Sequence, residues 1–311
     1  MEVSVSVIIA AYNVERYIER AVRSALEQDG VTLEVIIVDD CSTDKTFEIA
    51  KAIGDARIKC IRQPNNGGPG AARNAGIAAA TGQWIAILDG DDAFAKGRLE
   101  HCIQRARDAN AQIVVDNLSV FQEAGGATFP MFPPARFSGL RRLTLADFIA
   151  GNQSFMGGYA LGYLKPVFLA SFLHENNLHY RTDIRIGEDY LLLAKALACG
   201  AICSVSPQQG YLYTARAGST SHRLVPEDVL LIASCDRSFL AEHTLDAAAA
   251  KAQKWREFHL KEAYAFTLLV QALKQRQTIG ALKAAGMAPS ALRHLWRPAW
   301  VRIRRAMLLV S

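Results

Sequence analysis

Residues 84–92 read Trp84-Ile85-Ala86-Ile87-Leu88-Asp89-Gly90-Asp91-Asp92, an apolar run that passes straight into three carboxylates. Such a run, bounded by turn residues, has the character of a strand buried on both faces. The same device occurs twice upstream. Leu33 to Val38 ends in Asp39-Asp40, and the β-branched run Val3 to Ala10 ends in Ala11-Tyr12-Asn13. Helical spacing fills the gaps. Val14 to Gln28 repeats apolar residues at Val14, Ile18, Ala21, Val22, Ala25 and Leu26, and Ser42-Thr43-Asp44 offers N-cap chemistry for a helix over Lys45 to Ile53, with Gly54 as its stop. Ile58 to Ile61 predicts a short strand, Pro64 to Gly70 a turn-rich loop, and Ala71 to Ala80 a helix. Leu99 to Ala109 predicts a further helix and Ile113 to Leu118 a further strand. This alternation predicts an α/β fold with a doubly wound, mostly parallel sheet flanked by helices.

The second half reads differently. Gly125-Gly126, Pro130 and Pro133-Pro134 precede mixed elements, a helix starting near Gly187-Glu188-Asp189, and a strand over Ala201 to Val205. From Pro226 onward the pattern is helical, with expected breaks at Gly280 and at Gly286-Met287-Ala288-Pro289.

The 311 residues are 50% hydrophobic and 21% charged, which excludes disorder as a global description. Six cysteines without a C-x-x-C pair exclude a disulfide framework and a metal finger, so reduced thiols in a cytoplasmic protein are expected. No charged-then-apolar leader precedes the first strand. The most apolar stretch, Phe155 to Leu173, is broken by Lys165-Pro166 and three glycines, so no spanning helix is expected.

Charge is unevenly spread. Residues 1–250 hold 23 Lys/Arg against 28 Asp/Glu, whereas residues 251–311 hold 12 against Glu257 and Glu262 alone. Within Ser290 to Val310, Leu292, Leu295, Trp296, Trp300 and Ile303 recur at near-helical spacing among Arg293, Arg297, Arg302, Arg304 and Arg305. Pro298 should kink or divide that helix. The pattern fits a helix lying on an anionic membrane surface better than a nucleic-acid partner, which is not expected. A helix docked on the acidic body is the plainer alternative.

Ligands of open α/β sheets bind beyond the carboxyl ends of the strands. Carboxylates gathered there repel one another unless a cation or a donor-rich ligand lies among them. Capping and turn formation account well enough for Asp44 and Asp92, but poorly for Asp89 and Asp91, whose i, i+2 spacing can present both to one site. Gly68-x-Gly70 begins a dinucleotide fingerprint, but its third glycine position is Arg73 and Pro69 removes a backbone donor. No P-loop motif is present.

Taken in order, Val5-Ser6-Val7-Ile8-Ile9 with Tyr12-Asn13, Val38-Asp39-Asp40-Cys41-Ser42, Asn66-Gly67-Gly68 with Ala72-Arg73-Asn74, and Leu88-Asp89-Gly90-Asp91-Asp92 resemble the family 2 glycosyltransferases of the GT-A fold. The resemblance is dense over residues 3–120 and thinner to Glu188-Asp189 and Gly218-Ser219-Thr220-Ser221-His222. Cys41 stands where the family usually has a small residue such as Gly, and Ala10 where it often has Pro or Thr.

The resemblance implies a catalytic domain over residues 1–225, with a nucleotide-sugar half (1–120) and an acceptor half (121–225), followed by a helical region over 226–311. It implies that Ala10, Tyr12 and Asn13 line the base and ribose of a UDP-sugar and that Asp40 holds the uracil edge. Arg73 would reach the nucleotide or its phosphates, Asp89 with Gly90 the ribose, and Asp91 a Mg²⁺ or Mn²⁺ ion, joined by His222 as a metal or phosphate contact. Of Glu188 and Asp189, the second is implied to be the general base of an inverting transfer. Without the other motifs, the pair reads only as acids at a helix N-terminus.

UDP-glucose is the expected donor, and the expected acceptor is a saccharide or lipid-linked saccharide in exopolysaccharide assembly. The expected location is cytoplasmic, with peripheral attachment at the inner membrane face. Two alternatives stay open. One is a sugar-1-phosphate nucleotidyltransferase, although its Gly-rich phosphate loop is missing after the first strand. The other is a catalytically inactive, membrane-docked protein that binds nucleotide-sugars.

Overall fold

The computed structural model describes residues 4–123, 125–137, 139–153, 159–216 and 224–295. Strands β1 (Ser4–Ala11), β2 (Thr32–Asp39), β3 (Ile58–Arg62) and β4 (Trp84–Asp89) pair in parallel in the order β3-β2-β1-β4. Their register sets Ala11 opposite Asp39 and Ala10 opposite Asp89, so the polar ends of three strands share one edge. Val7, Ile8, Ile9, Ile36, Ile37, Ile85 and Ile87 are buried. Each such side chain contributes about 1.5–3 kcal/mol of burial energy.

Helix α1 (Ile18–Leu26) buries Ile18, Ala21, Val22 and Ala25, the stripe its spacing predicts. Helix α2 (Thr46–Ala52) lies inside its expected range. Helix α3 (Gly68–Ala79) starts three residues before the expected Ala71. The reason is local: Asp40 accepts from the backbone N–H of Gly67 and of Gly68, both at 2.8 Å, and Pro69 falls in the first turn, where its missing donor costs nothing. The helix also lies close on the sheet, since a Cβ at Gly76 would stand 2.3 Å from Ile8 Cγ2.

The second half adds β5 (Ala93–Phe94), α4 (Arg98–Ala109), β6 (Ile113–Gln122), β7 (Thr128–Pro130), α5 (Pro134–Phe137) and α6 (Leu145–Ala150). After a 3₁₀ turn at Leu161–Tyr163 come β8 (Val167–Leu169), α7 (Ala170–Glu175), α8 (Glu188–Ala198) and β9 (Cys203–Ala215). The full order is β3-β2-β1-β4-β8-β6-β9-β5, with β7 on β6. Parallel pairing holds through the first four strands and between β6 and β9, whereas β5, β7 and β8 join antiparallel. The sheet is therefore mixed, its long pairings parallel as expected and its short added strands antiparallel. A short connection such as that from β6 to β7 can close only an antiparallel pair.

Strand β9 runs ten residues past the expected Val205, its pairing with β6 resuming after register shifts at Asp116/Asn117 and Asn117/Leu118. A buried pair stands at that irregularity. Arg98 donates from Nε and Nη2 to the Asp116 carboxylate at 2.9 and 2.7 Å, and Nη2 also reaches the carbonyl of Lys165 at 2.7 Å. Losing one partner of so buried a pair costs roughly 3–5 kcal/mol.

The chain divides into two compact units, Met1–Phe148 with Leu161–Ser219, and Ile149–Ala160 with Thr220–Ser311. The second contains α9 (Pro226–Glu242), α10 (Ala247–Lys274), α11 (Thr278–Met287) and a 3₁₀ segment at Pro289–Leu295. Asp236 and Arg256 form a buried ion pair at 2.7 Å between α9 and α10. Helix α11 packs Ala281 and Ala284 on Leu269 and Ala272. It continues through Gly280, and the chain breaks instead just before it, where Arg276 takes φ +57°. The break expected near Met287 is present.

Candidate active site

Three elements of the first unit converge on one cluster of charges. Strand β4 ends at Asp89, α8 opens with Glu188 and Asp189, and α3 carries Arg73 on its second turn. Gly187, at φ +90°, makes the turn that starts α8. Arg73 donates from Nη2 to Asp89 Oδ1 at 2.7 Å, and its Nη1 lies 2.8 Å from Glu188 Oε1 and 2.9 Å from Asp189 Oδ1. The Lys165 ammonium stands 2.8 Å from Asp89 Oδ2 and 2.7 Å from Asp189 Oδ2. Two buried cations thus hold three carboxylates.

Burial works against both cations. Asp189, Asp89 and Glu188 nevertheless hold the Arg73 pKa well above its ordinary value, and Asp189 with Asp89 raises that of Lys165. Burial would also raise Asp89, but Lys165 and Arg73 overcome it and keep the carboxyl below the usual range. Glu188 goes the other way. Burial, then the neighbouring Asp189, lift it above the ordinary carboxylate range against Arg73. Tyr180, whose ring lies 5.2 Å from the Arg73 guanidinium carbon, has its phenol raised by burial and by Asp189. Asn74 clasps the backbone of Tyr180 on both sides, at 2.8 and 2.9 Å. That approach needs Gly70, where a Cβ would stand 2.3 Å from the Arg181 carbonyl.

The loop after β4 is supported by β9. Asp92 is buried and accepts from Tyr211 Oη at 2.8 Å and from the Thr214 N–H at 2.7 Å, while Asp89 N donates to Tyr211 Oη at 3.1 Å. Burial, with Asp91 and Asp89 close by, pushes the Asp92 carboxyl well above the ordinary range. Arg20 Nη2 bridges the Asp91 carbonyl and Thr214 Oγ1 at 2.6 and 2.5 Å. Asp91 accepts from Arg216 Nε at 2.7 Å, and its side chain keeps 22% of its surface.

At the neighbouring strand ends, Tyr12 is exposed and Asn13, at φ +51°, accepts from the Thr43 N–H at 2.9 Å. Cys41 takes φ +62°, which explains a glycine preference there and costs about 1–2 kcal/mol for a residue with a Cβ. Gly90 N donates to the Ala10 carbonyl at 3.0 Å, and a Cβ at Gly90 would crowd that carbonyl at 3.1 Å.

The structure therefore brings Arg73, Asp89, Glu188 and Asp189 into one contact network and sets Asp91 beside Arg216. Ala10, Tyr12, Asn13, Asp40 and Gly90 lie at the strand-end edge. The strand-end carboxylates already serve the fold in part: Asp39 holds Ser42 N and Arg62, Asp40 holds Gly67 and Gly68, and Asp92 holds β9. His222 lies outside the described residues. Lys165 and Arg20 were not singled out from the sequence. The signal for Lys165 was a lone cation inside an apolar stretch, where burial demands a partner.

Residues 6–170 match the family model for glycosyl transferase family 2. Among curated relatives, the succinoglycan biosynthesis protein ExoO of Rhizobium meliloti (strain 1021) is 46% identical over 97% of this chain and 86% of its own length. Two solved structures share the fold. S. aureus TarS 1–349 in complex with UDP-GlcNAc matches with a TM-score of 0.66 at 19% identity, covering 93% of this chain and 92% of that one. The mannosyltransferase PcManGT from Pyrobaculum calidifontis, in complex with GDP-Man and Mn²⁺, matches with a TM-score of 0.62 at 20% identity, covering 97% and 81%. The mixed sheet with its flanking helices is the GT-A fold. The chain belongs to glycosyl transferase family 2, and the protein is a glycosyltransferase.

Proposed function

We propose that the protein transfers a hexose from a UDP-sugar, UDP-glucose first among the candidates, to a hydroxyl of a saccharide or lipid-linked saccharide during exopolysaccharide assembly. The observation that carries this is the joining of Asp89 and Asp189, one hundred residues apart, through Arg73 and Lys165. A carboxylate on the donor side and one suited to proton abstraction are thereby held in one network. The relatives add direction: ExoO bears the name of succinoglycan biosynthesis, and the TarS structure holds UDP-GlcNAc.

In this reading Asp189 takes the proton of the acceptor hydroxyl as that oxygen attacks the anomeric carbon. The bond to the diphosphate breaks on the opposite face and UDP leaves. One displacement inverts the configuration, so an α-linked donor yields a β-glycoside. Of the acidic pair, Asp189 is the more open, its side chain 16% exposed against 9% for Glu188. Arg73, already tied to three carboxylates, acts on the donor through Asp89. Asp40 spends two lone pairs on Gly67 and Gly68, and a carboxylate has about four, which leaves capacity for a uracil imide.

The residues fit a divalent cation. Among the described residues no three His, Cys, Asp or Glu side chains form a metal cage, but Asp91 offers a part-exposed carboxylate in a loop already crowded with negative charge. One carboxylate completed by substrate phosphates and water is the usual Mg²⁺ arrangement. Asp91 would hold the ion, which would supply electrostatic stabilisation of the departing diphosphate.

A screen of UDP-glucose, UDP-galactose and UDP-N-acetylglucosamine for slow hydrolysis tests the donor without knowledge of the acceptor. The expected result is UDP release from one of them. Pyrophosphate release from UTP and a sugar-1-phosphate, with no UDP released from any UDP-sugar, would restore the nucleotidyltransferase reading, and UDP binding without turnover across a broad acceptor panel would indicate an inactive binding protein.

We also propose attachment to the inner face of the cytoplasmic membrane. Among the described residues no helix is long and apolar enough to cross a membrane. The tail beyond Leu295 lies outside them. Helix α11 nevertheless leaves Ile279, Leu282 and Met287 at 69%, 74% and 60% exposure around Lys283, an apolar and basic face suited to anionic headgroups. The full chain is expected to float with anionic vesicles but not zwitterionic ones, less so in salt. Truncation after Ala288 removes the tail and keeps α11, and should leave at most weak flotation. Equal flotation of both chains would move the contact to α11 and rule out the tail.

A further inference from the structure

Lys165 is buried and carries a charge, and beyond joining Asp89 to Asp189 it has no step in the reaction described above. Its backbone is fixed from one side. The carbonyl accepts from Arg98, which is itself held by Asp116 on β6. Pro166 follows and restricts Lys165 to extended backbone. From that anchored point the side chain reaches Asp89 and Asp189 with a single ammonium, at 2.8 and 2.7 Å. Arg73 grips the other oxygen of each carboxylate, Oδ1 in both cases. Two carboxylates bridged twice by fixed cations have a set separation and set planes.

We propose that Lys165 is the positioning residue of the transfer reaction, fixing the Asp189 carboxylate relative to the donor-side Asp89. The inference rests on the reading of Asp189 as the base. Without the ammonium, Asp189 keeps only its Oδ1 contact with Arg73 and can rotate about χ1 and χ2. The two like charges then repel with one shared counter-ion instead of two. A base displaced by about 1 Å can lose on the order of 10²-fold in rate. Arg73 cannot substitute, because its guanidinium is already divided among three carboxylates.

The test uses the full-length protein, with hydrolysis of UDP-glucose, UDP-galactose or UDP-N-acetylglucosamine as the readout, whichever is turned over, and calorimetric UDP binding beside it. Lys165→Met is expected to lower kcat about 10²-fold with UDP affinity within roughly 3-fold of wild type, and Lys165→Arg to restore most of the loss. The decisive measurement is a double-mutant cycle with Asp189→Asn. If Lys165 acts through Asp189, adding Lys165→Met to Asp189→Asn costs no more than about 2-fold. A full additional loss in that background overturns the positioning role and leaves Asp189 as base. An unchanged kcat for Asp189→Asn alone overturns the base reading and the inference with it. Loss of UDP affinity in Lys165→Met equal to its loss of kcat also overturns the inference, by making Lys165 a donor-binding or folding residue.

Discussion

Asp189→Asn is expected to lower sugar transfer by about 10²–10⁴-fold, the usual contribution of a positioned general base. The substitution is close to isosteric. The amide oxygen can still accept from Lys165 or Arg73, so the network should persist in outline, but no lone pair remains basic enough to take the acceptor proton. UDP affinity should barely change, because Asp89, the donor-side member of the network, keeps Lys165 and Arg73 at 2.8 and 2.7 Å. Glu188→Gln provides the contrast. Its carboxylate is the more buried of the two and is directed at Arg73, so a milder effect is expected. A severe Glu188→Gln beside a mild Asp189→Asn would exchange the two roles.

Removal of the cation is the second large effect expected. EDTA should bring turnover to background, Mn²⁺ or Mg²⁺ should restore it, and Asp91→Ala should reproduce the loss without rescue by either metal. Asp91 and Arg216 retain 22% and 24% of their side-chain surface, so deleting the carboxylate removes no core volume and leaves no fully buried charge. An unchanged thermal melt is therefore part of the expectation. Full activity in EDTA would take the metal out of the mechanism and leave Asp91 as a partner of Arg216 alone.

The strands and helices of the first half were legible because buried parallel strands declare themselves as continuous apolar runs. The ends of those runs carried the polar residues that now stand at one edge. What could not be read was occupancy. Asp39, Asp40 and Asp92 look no different in the sequence from Asp89 and Asp91, yet each already accepts from backbone N–H groups of loops or of β9. Only three-dimensional pairing separates the two groups. The early start of α3 was hidden for the same reason, since its N-terminal donors are satisfied by Asp40, 27 residues upstream. Lys165 was visible only as an interruption of an apolar stretch. Its partners come from 76 residues upstream and 24 downstream, separations that no local pattern encodes. The helical character of residues 226–287 was plain from periodicity. The break between α10 and α11 was not, because a positive φ fell on Arg276 and the nearby glycine stayed helical.

The dependence of the Asp89–Asp92 loop on β9 bears on how such enzymes can be recombined. Tyr211, Thr214 and Arg216 support a loop 119 to 125 residues earlier, and Arg20 ties the same two segments from α1. The loop that follows β4 is thus finished by the very segment that follows α8. The segments before and after residue 120 are not interchangeable cassettes. A chimera joined near residue 120 inherits its Asp89–Asp92 loop from one parent and the wall behind that loop from the other. Matching the residues at positions 20, 92, 211, 214 and 216 is then a condition for a working graft, independent of how well the acceptor pockets agree.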